Sequence, residues 1–148
     1  MLQGESPGFG SGLLSEVKTS GLVLMAKSYV AYHELELQLL MGTVDREYEV
    51  LCHGFAACRR LAMPVFALQG ARSRRSRVEP WARPSVSDLK VLAGLYRAGR
   101  AVSCAVLRIF TGRRHQIRTQ LAHVGHAVCC DSFYLPRQTF LEDQAPKV

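Results

Sequence analysis

The chain has 148 residues, 48% hydrophobic and 21% charged, the balance of one ordinary globular domain rather than of a disordered chain. Lys plus Arg number 19 against 12 Asp plus Glu, a formal charge of +7 that points to an anionic partner, nucleic acid first. No apolar run approaches the roughly 18 residues that span a bilayer, and MLQGESPGFGSG has neither the basic nor the apolar segment of a secretory signal, so neither membrane nor export is expected.

Along the chain, residues 1–18 open with a Gly/Ser/Pro-rich stretch and read as a disordered lead-in. LVLMA (22–26) is a short apolar run after Gly21 and predicts a buried strand. Ser28 is placed to cap a helix over about 29–41 that Gly42 closes. The period then changes to two. In TVDREYEVLC, Val44, Arg46, Tyr48, Val50 and Cys52 share one strand face, and Asp45, Glu47 and Glu49 share the other.

PVFAL (64–68) suggests a short edge strand, and residues 70–84 form a basic loop in which Arg72, Arg74, Arg75, Arg77 and Arg83 surround the lone Trp81. SDLKVLAGLY (87–96) and AVSCAVLRIF (101–110) read as two strands joined by a turn containing Gly99. RRHQIRTQLAHVG then predicts a helix with Ile117, Leu121 and Val124 on its buried face and Gly125 as its stop. HAVCCD (126–131) reads as a short strand, and residues 136–148 as a loose tail. This order of elements predicts an α+β fold, a mixed and mainly antiparallel sheet with two flanking helices.

Residues 111–131, TGRRHQIRTQLAHVGHAVCCD, concentrate the side chains that carry chemistry. His115, His123, His126, Cys129 and Cys130 are zinc-ligand types, but His115 and His123 stand more than two helical turns apart and the adjacent cysteines of a strand point to opposite faces. There is no C-x-x-C pair, so no metal is expected. Nothing pairs a given cysteine with a given histidine for nucleophilic catalysis either. Five cysteines with no disulfide pattern suit reduced thiols and an intracellular protein.

On a helix, Arg114 and Arg118 fall one turn apart, and with Arg113 and His115 they place positive charge at a helix N-terminus, an arrangement that suits phosphate. An arginine half-buried at position 118 needs an anionic partner, usually a carboxylate held by two hydrogen bonds. Arg74 and Arg75 supply further phosphate contacts in this reading, and Trp81 a surface on which a base stacks.

The same stretch, extended to Tyr134, closely resembles the C-terminal signature of RluA-type RNA pseudouridine synthases. That signature runs Thr-Gly-Arg-x-His-Gln-Ile-Arg-x-x-Leu-x-x-x-Gly-His-Pro-x-x-Gly-Asp-x-x-Tyr. The matching residues are Thr111, Gly112, Arg113, His115, Gln116, Ile117, Arg118, Leu121, Gly125, His126, Asp131 and Tyr134. TSGLVLMAKS (19–28), REYEVLCHG (46–54) and SVSDLKVL (85–92) resemble other blocks of the family in the right order, so the resemblance covers 19–135. Departures are clear. The family's His-Arg-Leu-Asp is replaced by Leu13, Leu14, Ser15 and Glu16, which puts a glutamate in the register of the nucleophilic aspartate; Ala127 and Cys130 replace a proline and a glycine.

The resemblance implies an incomplete catalytic core that isomerises uridine to pseudouridine in RNA, with no cofactor. It implies that Tyr48 packs on the flipped uracil and that Arg118 pairs with the catalytic carboxylate, here Glu16. Without the aspartate, a non-catalytic RNA-binding relic is the alternative reading.

Overall fold

The computed structural model describes residues 19–67 and 75–145, in two compact units, 1–44 and 45–148. Glu16, Arg72 and Arg74 lie outside the described residues.

In the first unit, α1 spans Tyr29–Met41. The Ser28 side chain accepts the Ala31 N–H at 3.2 Å. Gly42 takes the left-handed conformation (φ 69°), and the Thr43 N–H reaches back to the Gln38 carbonyl at 3.0 Å. These are the caps the sequence predicted. LVLMA is not a strand: Leu22 and Met25 are exposed, and α1 is the unit's only helix or strand among the described residues. A strand needs a ladder to satisfy its backbone, and here the apolar run has none.

The second unit carries β1 (Glu47–His53), β2 (Arg59–Ala62), β3 (Val65–Phe66), β4 (Arg77–Val78), β5 (Val86–Arg97), β6 (Arg100–Ile109), α2 (Gln116–His123) and α3 (Arg137–Gln144). One antiparallel sheet has the order β1-β6-β5-β2, and β3 and β4 pair separately. The α+β class and the antiparallel sheet are those the sequence predicted, with a third helix added. Part of the expected basic loop is therefore strand, since Arg77 pairs with Phe66.

β5 and β6 form a long hairpin. Ala98 (φ 50°) and Gly99 (φ 74°) lie between the paired Arg97 and Arg100, so two positive-φ residues make the turn whose twist matches antiparallel strands. Along β1 the alternation holds: Glu47, Glu49 and Leu51 are exposed, while Tyr48, Val50 and Cys52 turn inward. Tyr48 stands opposite Leu107, Val50 opposite Ala105 and Leu89 opposite Leu107, which assembles one apolar face. Leu61 from β2 and Leu121 from α2 close over it, with Ile117 and Val124 packed at the margin. Each fully buried leucine there contributes about 1.5–3 kcal/mol by removal from water.

The most buried residues of α2 include polar ones that apolar periodicity does not find. Gln116, Thr119 and Gln120 are more buried than Ile117. The Gln120 side-chain amide donates to the Ser85 carbonyl at 3.0 Å, and its oxygen accepts from Ser87 Oγ at 2.8 Å. Gln116 donates to Ser87 Oγ at 2.9 Å and to the Val86 carbonyl at 3.1 Å. Its oxygen accepts from Thr111 Oγ1 and the Arg113 N–H. Two glutamines thus bolt α2 to the start of β5. Gln120→Leu keeps the volume but removes the acceptor of the Ser87 hydroxyl proton and one of the two donors to the Ser85 carbonyl, which keeps the Met63 N–H; a loss of roughly 1–3 kcal/mol is expected in urea unfolding.

HAVCCD is not a full strand. It meets β1 at a single bridge, Cys52 to Val128, and then Cys130 (φ 59°) turns the chain away. The tail expected to be loose carries α3. No side chain caps this helix. Tertiary contacts hold it: Asp143 accepts from the Cys130 N–H at 2.8 Å and bonds the His53 ring at 3.0 Å, and Glu142 pairs with Arg100.

Candidate active site

Arg118 projects from α2 onto Asp131 in the loop that follows. Its Nε donates to one carboxylate oxygen at 2.7 Å and its Nη2 to the other at 2.5 Å. The Asp131 side chain is 3% exposed and that of Arg118 is 17% exposed, so this is a buried, two-pronged pair. The Phe133 and Tyr134 N–H groups also donate to Asp131, at 2.9 and 3.3 Å. Burial pushes the Asp131 carboxyl up, but the Arg118 hydrogen bonds and charge together with the two N–H groups outweigh it and hold the group below its ordinary value. The rings of Phe133 and Tyr134 lie 5.2 Å from the guanidinium carbon and wall the pair in.

The carboxylate partner that position 118 required is therefore present within the signature itself. Sequence reasoning quoted Asp131 but gave it no role. The only available signal was its place in the signature, since a pair spanning 13 residues across a turn leaves no periodicity.

Tyr134 ties this pair to the rest of the site. Its hydroxyl accepts from the Ser76 N–H at 2.8 Å and from Thr119 Oγ1 at 3.0 Å, and it meets His115 Nδ1 at 3.1 Å. Ser76 Oγ in turn donates to the Arg114 carbonyl at 2.8 Å. The start of α2 is thereby fastened to the segment leading into β4.

The predicted helical face of Arg114 and Arg118 is not formed. His115 takes a left-handed conformation (φ 55°) and α2 begins only at Gln116, so Arg113 and Arg114 precede the helix and leave its phase. They lie instead at its threshold. Arg113 and Arg46 each bury an Nε without a hydrogen-bond partner. A Cβ on Gly112 would fall 2.8 Å from Arg46 Nη1, so the lack of a side chain there lets Arg46 come up against the backbone beside Arg113. A buried donor left unpaired costs about 1–3 kcal/mol, so both guanidinium groups call for an acceptor.

Tyr48 stands on the inward face of β1, the face on which α2 packs its Leu121. Arg75 is exposed beside Ser76. Trp81 is 68% exposed, and its ring rests edge-on against Phe66 with 4.6 Å between centroids. It is an anchored aromatic with most of its surface open. Of the histidines and cysteines first considered for metal, only Cys129 belongs to the group that converges among the described residues, with His53 and Asp143. No helix among the described residues is long and apolar enough to cross a membrane.

A family model described as RNA pseudouridylate synthase matches residues 16–123. The uncharacterized RNA pseudouridine synthase YhcT of Bacillus subtilis is 33% identical over 129 residues, covering 86% of this chain and 42% of its own length. Ribosomal large subunit pseudouridine synthase D of Pasteurella multocida is 28% identical over 116 residues, 78% of this chain and 35% of its own. The chain thus spans less than half the length of these curated relatives. Among solved structures, human RNA pseudouridylate synthase domain containing 1 superimposes with a TM-score of 0.76 at 26% identity, over 90% of this chain and 57% of that one. Taken with the Thr111–Tyr134 signature folded around Arg118 and Asp131, these matches establish that the chain belongs to the RNA pseudouridylate synthase family, of the RluA type.

Proposed function

We propose that this chain acts on RNA as part of a pseudouridine synthase, isomerising a uridine to pseudouridine. In that reaction the C1′–N1 bond breaks, C5 bonds to C1′, the C5 proton leaves to solvent and N1 gains one. The change is redox-neutral and asks for no cofactor. The target uridine must first leave its stack for the bond to become accessible.

In this reading Tyr48 packs against the extruded uracil, and Arg118, fixed by Asp131, faces the catalytic carboxylate. Glu16 stands in the register of that carboxylate. Arg113, Arg114 and His115 at the threshold of α2, with Arg74 and Arg75, hold RNA phosphates, and Trp81 offers its open face to a base. The unpaired Nε groups of Arg46 and Arg113 support a phosphate at that threshold. The five free cysteines suit an intracellular setting.

The observation that carries the reading is the buried Arg118–Asp131 pair at the centre of the family signature. The test is to incubate the chain with uridine-containing RNA, digest to nucleosides and separate them chromatographically. A pseudouridine peak that grows with time is expected. RNA binding that weakens with salt but yields no pseudouridine would instead assign the chain to RNA binding without catalysis.

A further inference from the structure

Where the end of β1, the loop after α2 and α3 come together, three metal-ligand types meet from three separate elements. His53 ends β1, Cys129 lies in the loop after α2, and Asp143 sits on α3. A ring nitrogen, a sulfur and a carboxylate oxygen, one from each, all lie within 4.8 Å of one another. We propose that His53, Cys129 and Asp143 form a binding site for a zinc-type divalent cation.

The backbone sets this convergence in place. The His53 N–H donates to the Ala127 carbonyl at 2.9 Å and the Cys129 N–H to the Leu51 carbonyl at 2.8 Å, which fixes the cysteine beside the end of β1. The Asp143 carboxylate is positioned by the Cys130 N–H, and its side chain is 9% exposed against 17% for His53. The His126 ring bonds the His53 carbonyl at 2.9 Å. Such supporting contacts around the ligands orient metal sites and tune their affinity.

In a tetrahedral zinc site, bonds of about 2.0–2.3 Å put neighbouring ligand atoms roughly 3.5 Å apart. The His53 and Asp143 atoms already stand 3.0 Å apart in a hydrogen bond that the metal would replace, and the set, now within 4.8 Å, needs the sulfur to draw in by about 1 Å. An imidazole, a thiolate and a carboxylate together favour zinc over magnesium or calcium, which prefer all-oxygen shells. The thiolate and carboxylate neutralise the dication, and the thiol proton leaves to solvent as the sulfur–metal bond forms. Three protein ligands leave a fourth position for water, and the three residues line a cleft shared with Arg97, Arg100 and Glu142. A metal here clasps α3 and the loop after α2 to the end of β1.

The test is titration of the purified full chain with Co²⁺ alone, followed by displacement with Zn²⁺. Uptake of one equivalent is expected, with visible ligand-field bands and a near-ultraviolet sulfur-to-cobalt charge-transfer band that Zn²⁺ abolishes. Loss of a supporting contact weakens such sites about 10–100-fold, so Cys129→Ser, which removes a ligand, is expected to lose at least about a hundredfold in affinity together with the charge-transfer band. Cys130→Ser, one residue away, is expected to keep both. Far-ultraviolet circular dichroism confirms that both variants retain the wild-type fold. No stoichiometric uptake by the wild-type chain overturns the proposal, as does a cobalt spectrum that survives in Cys129→Ser.

Discussion

Replacing Arg118 with alanine is expected to destabilise the second unit by about 3 kcal/mol, the largest loss of any single polar substitution in the site. Removing one member of a buried ion pair leaves the other charged and unpaired, an effect of roughly 3–5 kcal/mol. The low end applies because Asp131 keeps the N–H groups of Phe133 and Tyr134. Arg118→Lys is expected to recover only part of the loss, since an ammonium cannot donate in parallel to both carboxylate oxygens.

The same pair has a pH signature. The Asp131 carboxyl titrates lower in the folded chain than its ordinary value of 3.8. The unfolded chain therefore binds more protons in acid. Stability from the pair is complete above about pH 4 and falls as pH drops through the lowered folded value. Asp143, lowered by the Cys130 N–H and by His53 against the opposing effect of burial, acts in the same window and the same direction. Urea midpoints measured from pH 6 down to pH 3 should therefore decline, and Arg118→Ala should flatten that decline without abolishing it.

Glu16→Asp is expected to raise pseudouridine formation about a hundredfold. In the proposed reading Glu16 takes the register of the family's nucleophilic aspartate, with one methylene more. Displacing a catalytic group by about 1 Å costs roughly a hundredfold in rate. Shortening the arm restores the reach without changing the charge. Glu16→Ala is expected to abolish turnover while leaving RNA binding intact, because the proposed function assigns phosphate binding to arginines elsewhere. Initial rates of pseudouridine formation under saturating RNA check both variants. Equal rates for Glu, Asp and Ala at this position would remove it from the chemistry.

Local signals in the sequence translated directly into structure. Ser28 and Gly42 delimit α1, the alternation of TVDREYEVLC gives the two faces of β1, and Gly125 (φ 87°) follows the end of α2. Each rests on a residue's own conformational preference or on a period that a few neighbours reveal. The buried side of α2 was only half legible. Apolar periodicity found Leu121, but Gln116 and Gln120 are buried because β5 offers carbonyls and hydroxyls in the right places, which only the assembled sheet supplies.

The phase error at Arg114 has a single cause. One left-handed residue, His115, delays the helix and turns the preceding arginines off its face; histidine is enriched in that conformation among non-glycine residues but adopts it too rarely to displace a helix start on its own. LVLMA misled in the opposite sense, because a run of apolar residues records a demand for burial rather than the presence of a neighbouring strand. The site's pairings are the least legible. Arg118 with Asp131 was foreseen as a need for a carboxylate but not as this one, and His53 with Asp143 joins residues 90 apart in sequence.

Arg118 and Asp131 act as one unit, and a double-mutant cycle measures that directly. Unfolding free energies of wild type, Arg118→Met, Asp131→Leu and the double variant give their coupling. For contacting charged groups the coupling ranges over about 0.5–3 kcal/mol, and the buried two-pronged geometry puts the expected value near the top, about 2–3 kcal/mol. The double variant should then be more stable than the sum of the single losses allows, since neither charge is left alone. Losses that add to within about 0.5 kcal/mol would contradict the account, because separate, uncoupled roles for the two residues leave the arginine of the signature without its fixed position.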